Sequence, residues 1–441
     1  TTAQVDALTT SEVAALTSAQ TAALTTAQLA SMSTDQVAAF TTTDLKALTA
    51  AQIASLTSDQ LNNLATDHIT ALTTAQIAAL TTTQVSNLST TNLDALTTAQ
   101  IAALTPAQVA HLSTTQLNAL TSTDMAALTS AQAVALTTTQ LSSLTTDLLA
   151  ALSTGDLKAL TSAQIASLTS DQLNGLATDH IAVLTTAQVA ALTTTQLSNL
   201  SSTNLNALGS AQIAALTTAQ VASLTTTQVS TMDSADVAAF TSNQIKALTT
   251  AQVDALTTSE VAALTSAQAA ALTAAQLASM STDQVAALST ADLRALGSAQ
   301  IVALTSDQLN NLATDHIAAL TTAQVAALTT AQLSNLSTTN FDAFSSAQIA
   351  AFTSTQIGAL TTTQLNALTS SEMATLTTAQ AAALTATQIA ALTTDLTAAL
   401  STTDLRALKS SQIDALTSAQ LNAMATDHIA ALTSAQVAAL T

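Results

Sequence analysis

Five histidines are the only side chains in this 441-residue sequence suited to ligate a transition metal or to exchange protons near neutral pH. Four of them follow an aspartate in the same local setting, as Asp67-His68, Asp179-His180, Asp315-His316 and Asp427-His428. A zinc site needs three or four convergent ligands, and even the nearest of these pairs stand fourteen octets apart along the chain. The fifth, His111, has no acidic neighbour and reads as a surface variation. Ser and Thr are abundant, but a nucleophile needs a base and an orienting group at a defined place, and nothing marks one hydroxyl among so many. Cysteine, tryptophan and tyrosine are absent, no Gly-rich phosphate loop occurs, and neither a His-Glu-x-x-His motif nor a calcium-binding loop is present. No catalytic, cofactor-binding or metal-ligating residue is therefore assigned, and the expectation is a protein that is not an enzyme and carries no cofactor.

What positions the histidines is a repeat. Leu8, Leu16, Leu24, Met32, Phe40 and Leu48 begin a series that continues at every multiple of eight to Leu440, always as Leu, Met or Phe. Five residues after each comes a second apolar position, as in Val13, Leu29, Val37, Leu45 and Ile53. The unit is Leu-Thr-Thr-Ala-Gln-Ile-Ala-Ala, with Thr or Ser after the Leu and Gln, Asp, Glu, Asn or His before the Ile. A continuous α-helix would turn about 800° over eight residues and drift its apolar stripe off any one face. In a strand, residues five apart point to opposite faces, and Ala and Gln are poor strand formers.

A short helix in each octet accounts for every position. Thr-x-x-Gln is a capping box, and the flanking Leu and Ile form a hydrophobic staple across it. The exceptions obey cap rules. Pro106 falls on the first helical position, and Gly209 and Gly297 fall on caps. Twenty of the 26 acids, among them Asp35, Asp59, Asp44, Asp124, Glu12 and Glu260, fall two or three residues past a cap, where they complement the helix dipole. Lys46, Lys158, Lys246, Arg294 and Arg406 follow the second apolar residue, a position that must face water. Lys409 at a cap departs from the pattern. Helices this short are unstable alone, so they must stack. The small residue that usually precedes the Leu allows close approach. The expected fold is all-α, a solenoid of short capped helices with Leu and Ile/Val inside, and a β-solenoid is the alternative. Octets per turn and handedness stay open. Two octets per layer serve as a working value.

The repeat runs unbroken over residues 1–441, which reads as one continuous solenoid and a piece of a longer chain. A second period lies above it: residues 1–30 return at 249–278 with only Thr21 and Thr26 changed to Ala269 and Ala274, so that 1–193 match 249–441. Leu148 and Leu396 both replace the capping Gln at that offset. The formal charge of −20 disfavours nucleic acid and anionic lipid. No apolar run approaches the roughly 20 residues of a membrane span. At 48% hydrophobic residues the chain can nonetheless collapse into a core.

The Thr/Ser/Ala/Gln-rich array in near-identical blocks resembles the repetitive regions of giant bacterial surface and secreted proteins, such as adhesin stalks and extracellular filament or matrix proteins. That resemblance implies an extracellular or cell-surface spacer, stalk or filament, associating with itself or continuing into more of the same chain. The alternative is a binding or adhesion module offering an extended Thr/Ser-rich surface to a surface or matrix ligand, and a third reading is ice binding by regular Thr ladders, which would need flat, aligned hydroxyls.

Overall fold

A computed structural model describes residues 1–440, so the last residue of the repeat series, Thr441, lies outside the described residues. Among the described residues there are 55 α-helices of four to six residues, numbered α1 to α55 in chain order, and no strand. The all-α fold expected from the repeat is the one observed, one helix per octet, and the β-solenoid is excluded. The residues divide into two compact units, Thr1–Ser223 and the residues from Leu224 onward.

The corners follow the cap-and-staple reading. At the start of α10 (Thr74–Ala79) the Thr73 Oγ1 accepts the Gln76 amide at 3.3 Å, and the Gln76 side chain accepts the Thr73 amide at 2.7 Å. Leu72 and Ile77, the two halves of the staple, are both buried. The link between helices is the extended pair Leu80 and Thr81, after which α11 (Thr82–Asn87) begins.

The working value of two octets per layer is wrong, because each helix packs on the one three places later. In the first unit α3 (Ser18–Ala22) lies against α6 (Thr42–Ala47), and α14 (Pro106–Ala110) against α17 (Ser130–Ala135). In the second, α34 (Ser266–Ala269) lies against α37 (Thr290–Ala295). Three octets therefore make one turn. The two-residue corner redirects the chain without folding each helix back onto its predecessor, so the circuit closes over three corners.

The core is the pair of apolar columns. Positions such as Leu45, Ile53, Ile101 and Leu141 are fully buried, and the Leu, Met or Phe that ends a helix is nearly so from Met32 to Leu432. Each such side chain contributes about 1.5–3 kcal/mol of burial, which a five-residue helix needs, having no stability of its own. In the second unit Phe341, Phe344 and Phe352 fill the core together, with ring centroids 5.4–6.2 Å apart. Lys46, Lys158, Lys246, Arg294 and Arg406 are exposed, as their shared position requires. Pro106 opens α14 and Gly209 and Gly297 sit at caps. Lys409 also stands at a cap, before α52 (Ser410–Ile413), where its amide still donates to Gln412 Oε1. Half of the box survives without a hydroxyl, which is why a lysine is tolerated there.

Candidate functional site: the third helical position

The residue before the Ile, third in each helix, has a second task that the capping box does not reveal. Gln76 accepts the Thr73 amide through Oε1 while its Nε2 donates to the carbonyls of Leu45 and Leu48, both at 2.7 Å. Those carbonyls end α6, the helix four places earlier. Gln324 does the same in the second unit, with Thr321 N at 2.7 Å, Leu293 O at 2.6 Å and Leu296 O at 2.8 Å. A helix leaves its last four carbonyls without intrahelical partners. Here one buried amide side chain caps the start of its own helix and the end of another in the turn beneath. The offsets of 28 and 31 residues recur through both units. Sequence reasoning placed this Gln at a helix terminus and missed its burial. A cap alone would be served as well by an exposed Glu, so the strong preference for Gln was the available signal.

Aspartate at this position closes the box where the cap is Thr or Ser but cannot donate downward. Asp44 takes the Thr41 hydroxyl at 2.6 Å and amide at 3.0 Å, and Ser18 from the turn beneath donates at 2.8 Å. Burial opposes its ionisation, but the hydrogen bonds from Thr41 and Ser18 together outweigh it and hold the carboxyl below its ordinary range. Asp156 with Ser130 and Asp292 with Ser266 repeat that contact at 2.8 Å.

The histidine octets depart further. His68, His180, His316 and His428 occupy the third position of α9 (Thr66–Ala71), α23 (Thr178–Ala182), α40 (Thr314–Ala319) and α54 (Thr426–Ala431). Their caps are Ala65, Ala177, Ala313 and Ala425 in place of the usual Thr or Ser, and no capping box forms. The preceding aspartate repairs part of the loss. Asp67 Oδ1 accepts the His68 amide at 2.9 Å, the amide that a Thr cap would otherwise take. The other three pairs hold the same bond at 2.9 to 3.0 Å. Each Asp-His pair is therefore a backbone cap followed by an imidazole whose buried Nδ1 has no hydrogen-bond partner. The octets one turn away on either side also depart from Gln: Asp44 and Asn92 stand 24 residues before and after His68, Asp156 and Asn204 so flank His180, and Asp292 and Asn340 flank His316. Both neighbours are shorter than the usual Gln.

No three His, Asp or Glu side chains among the described residues converge where an ion could sit. His111 lies at the exposed end of α14, its Nδ1 2.7 Å from Ala107 O. A partly enclosed pocket of about 270 Å³ beside Phe341, Phe344 and Glu372 falls below the roughly 300–1,000 Å³ of small-molecule sites, and the Glu372 carboxylate is committed to the Thr369 cap.

A lattice of this kind, set by one octet, identifies the chain by its repeat. The ALTTAQ repeat family matches residues 37–74, 69–106, 77–114, 95–130, 149–186, 189–226, 198–234, 229–266, 285–322, 325–362, 338–370 and 397–434. The chain belongs to the ALTTAQ repeat family. Its matches tile most of the sequence, and the family's six-letter signature is the ALTTAQ segment whose Leu, capping Thr and bifunctional Gln build each corner. No curated protein matches this ALTTAQ repeat chain. No helix among the described residues is long and apolar enough to cross a membrane.

Proposed function

We propose that this chain is a structural element, not an enzyme, serving outside the cell or at its surface as a spacer, stalk or filament. What supports the reading is one observation: within each unit helices pack on the one three places along and most give up their last carbonyls to a Gln of the turn above, so the structure grows by adding octets. Its output would be length and regular surface, with further copies of the chain or more of the same repeat as the partner. Small-angle scattering on versions with different octet numbers tests this. The maximum dimension should rise linearly with octet number, and a dimension growing only as the cube root would refute it.

A specific feature favours a second reading as an adhesion module. The residue after the cap is Thr or Ser in all octets but those with Ala50, Pro106, Ala274 and Ala386, although capping requires no hydroxyl there. None of these side chains is buried. Such rows would suit a hydrogen-bonding surface for a matrix ligand.

A further inference from the structure

Five Thr or Ser caps have no capping-box partner in their own octet, because the third helical residue is Asn92, Leu148, Asn204, Asn340 or Leu396. Asparagine is one methylene shorter than glutamine and cannot reach both the cap amide and the carbonyls beneath. Asn92 keeps the lower contacts, with Leu61 O at 3.1 Å and Asn62 O at 3.3 Å, and gives up the cap. Leucine can do neither.

Each abandoned cap amide is nevertheless bonded, by an asparagine in the turn beneath the missing Gln. Asn62 Oδ1 accepts the Ser89 amide at 2.7 Å and its Nδ2 donates to Asn87 O at 2.7 Å. Asn118 holds Thr145 N at 3.0 Å and Ser143 O at 2.8 Å. Asn174 holds Ser201 N and Asn199 O, Asn310 holds Ser337 N and Asn335 O, and Asn366 holds Thr393 N and Ala391 O, all within 2.7–3.0 Å. All five asparagines occupy the position that follows the second apolar residue, most often given to Ala and elsewhere to Ser or to a charge. The converse also holds. Among asparagines at that position whose turn above lies in the same unit and within the described residues, each faces an octet lacking Gln, and none faces an intact box.

We infer that these asparagines are caps supplied in trans from the turn beneath, placed only where the octet above cannot cap itself. Their bonds run upward over 25 and 27 residues, whereas those of Gln run downward over 28 and 31, so the two devices hold the same corner from opposite sides. An Asn and its missing Gln form a register mark: they pair only when three octets make a turn, and they fix which octet sits above which in an otherwise uniform array. This assignment stands on the hydrogen-bond geometry and does not depend on the chain being a spacer.

The Asn118 and Leu148 pair offers a clean test, since its column holds no histidine within the first unit. In Asn118→Ala, amide exchange at Thr145 should accelerate about tenfold, the scale of a lost helix cap, with a smaller fall in the melting temperature. Asn118→Asp, which keeps the acceptor oxygen, should retain protection at Thr145. Adding Leu148→Gln to Asn118→Ala should rebuild the local box and restore protection. Unchanged exchange at Thr145 in Asn118→Ala would overturn the inference. So would acceleration that Leu148→Gln fails to reverse, since the asparagine would then be acting through something other than this cap.

Discussion

Gln76, Asp44, Asp236 and His68 occupy equivalent positions, and their different behaviour follows from side-chain length and hydrogen-bonding capacity. Gln has an acceptor and a donor on one planar group, so it satisfies a cap amide and two carbonyls at once. Gln76→Ala removes three bonds and leaves the Leu48 carbonyl buried, which should cost about 2–4 kcal/mol, while Gln76→Glu keeps the cap and loses the donors. Chemical denaturation of the single variants checks the order, Ala more damaging than Glu and both below wild type. Asp236 shows what a cap must supply. The cap of its helix is Asp233, which carries a second negative charge in place of a hydroxyl, and no capping box forms. Burial pushes the Asp236 carboxyl up to about 6, and the Asp233 charge adds to the effect. The folded value thus lies above the unfolded one, near 3.9, so the native state binds this proton more tightly. Between about pH 4 and 6 this group favours folding as pH falls, and above pH 6 it opposes folding. Asp44, held low, contributes the opposite slope. Asp233→Ser recreates the Ser153 and Asp156 arrangement. It should lower the Asp236 pKa and raise the melting temperature at pH 7 more than at pH 5, as NMR titration and thermal melts would record. An unmoved Asp236 titration would sink this account.

At the scale of the helix, the octet is the unit of local structure but the turn is the unit of register. Deleting half an octet puts a Leu where a cap belongs and should be the most damaging change. Deleting one octet restores every capping box, since octets are locally alike, but it breaks contacts that need three-octet stacking, such as Ser18 with Asp44 and Asn62 with Ser89. Removing residues 73–96 instead takes out one whole turn, and with it Asn92, while keeping the phase of what remains. The melting temperature should drop most for the half octet, less for the single octet and least for the whole turn. Equal melting of the one-octet and whole-turn deletions would mean that three-octet stacking carries no energy.

At the scale of the molecule, each helix depends on the turns directly above and below it, so stability and dimension should both accumulate turn by turn. Packed helices lie about 8–10 Å apart. If the proposed spacer is right, three octets per turn give about 3 Å of length per octet, and scattering on a series of lengths should return that slope. A slope of about 5 Å per octet would point back to two octets per layer and contradict the packing of α3 on α6.

One octet was enough to read the local structure. Thr-x-x-Gln between Leu and Ile can satisfy a helix start and bury a stripe only as a short capped helix, and Pro106 and the two glycines at caps agreed with it at the level of single residues. That reasoning reached the helices, the apolar columns and the outward charges, because all of these are settled within a single octet of chain. It did not reach the number of octets per turn, the burial of Gln, or the role of Asn62 and its counterparts. Those depend on which residue lies across a gap of three to four octets, and every octet offers the same donors and acceptors to many such partners. Only the stacked structure selects one offset, since the corner geometry brings each Gln amide within reach of one set of unpaired carbonyls and leaves five caps to be closed from below.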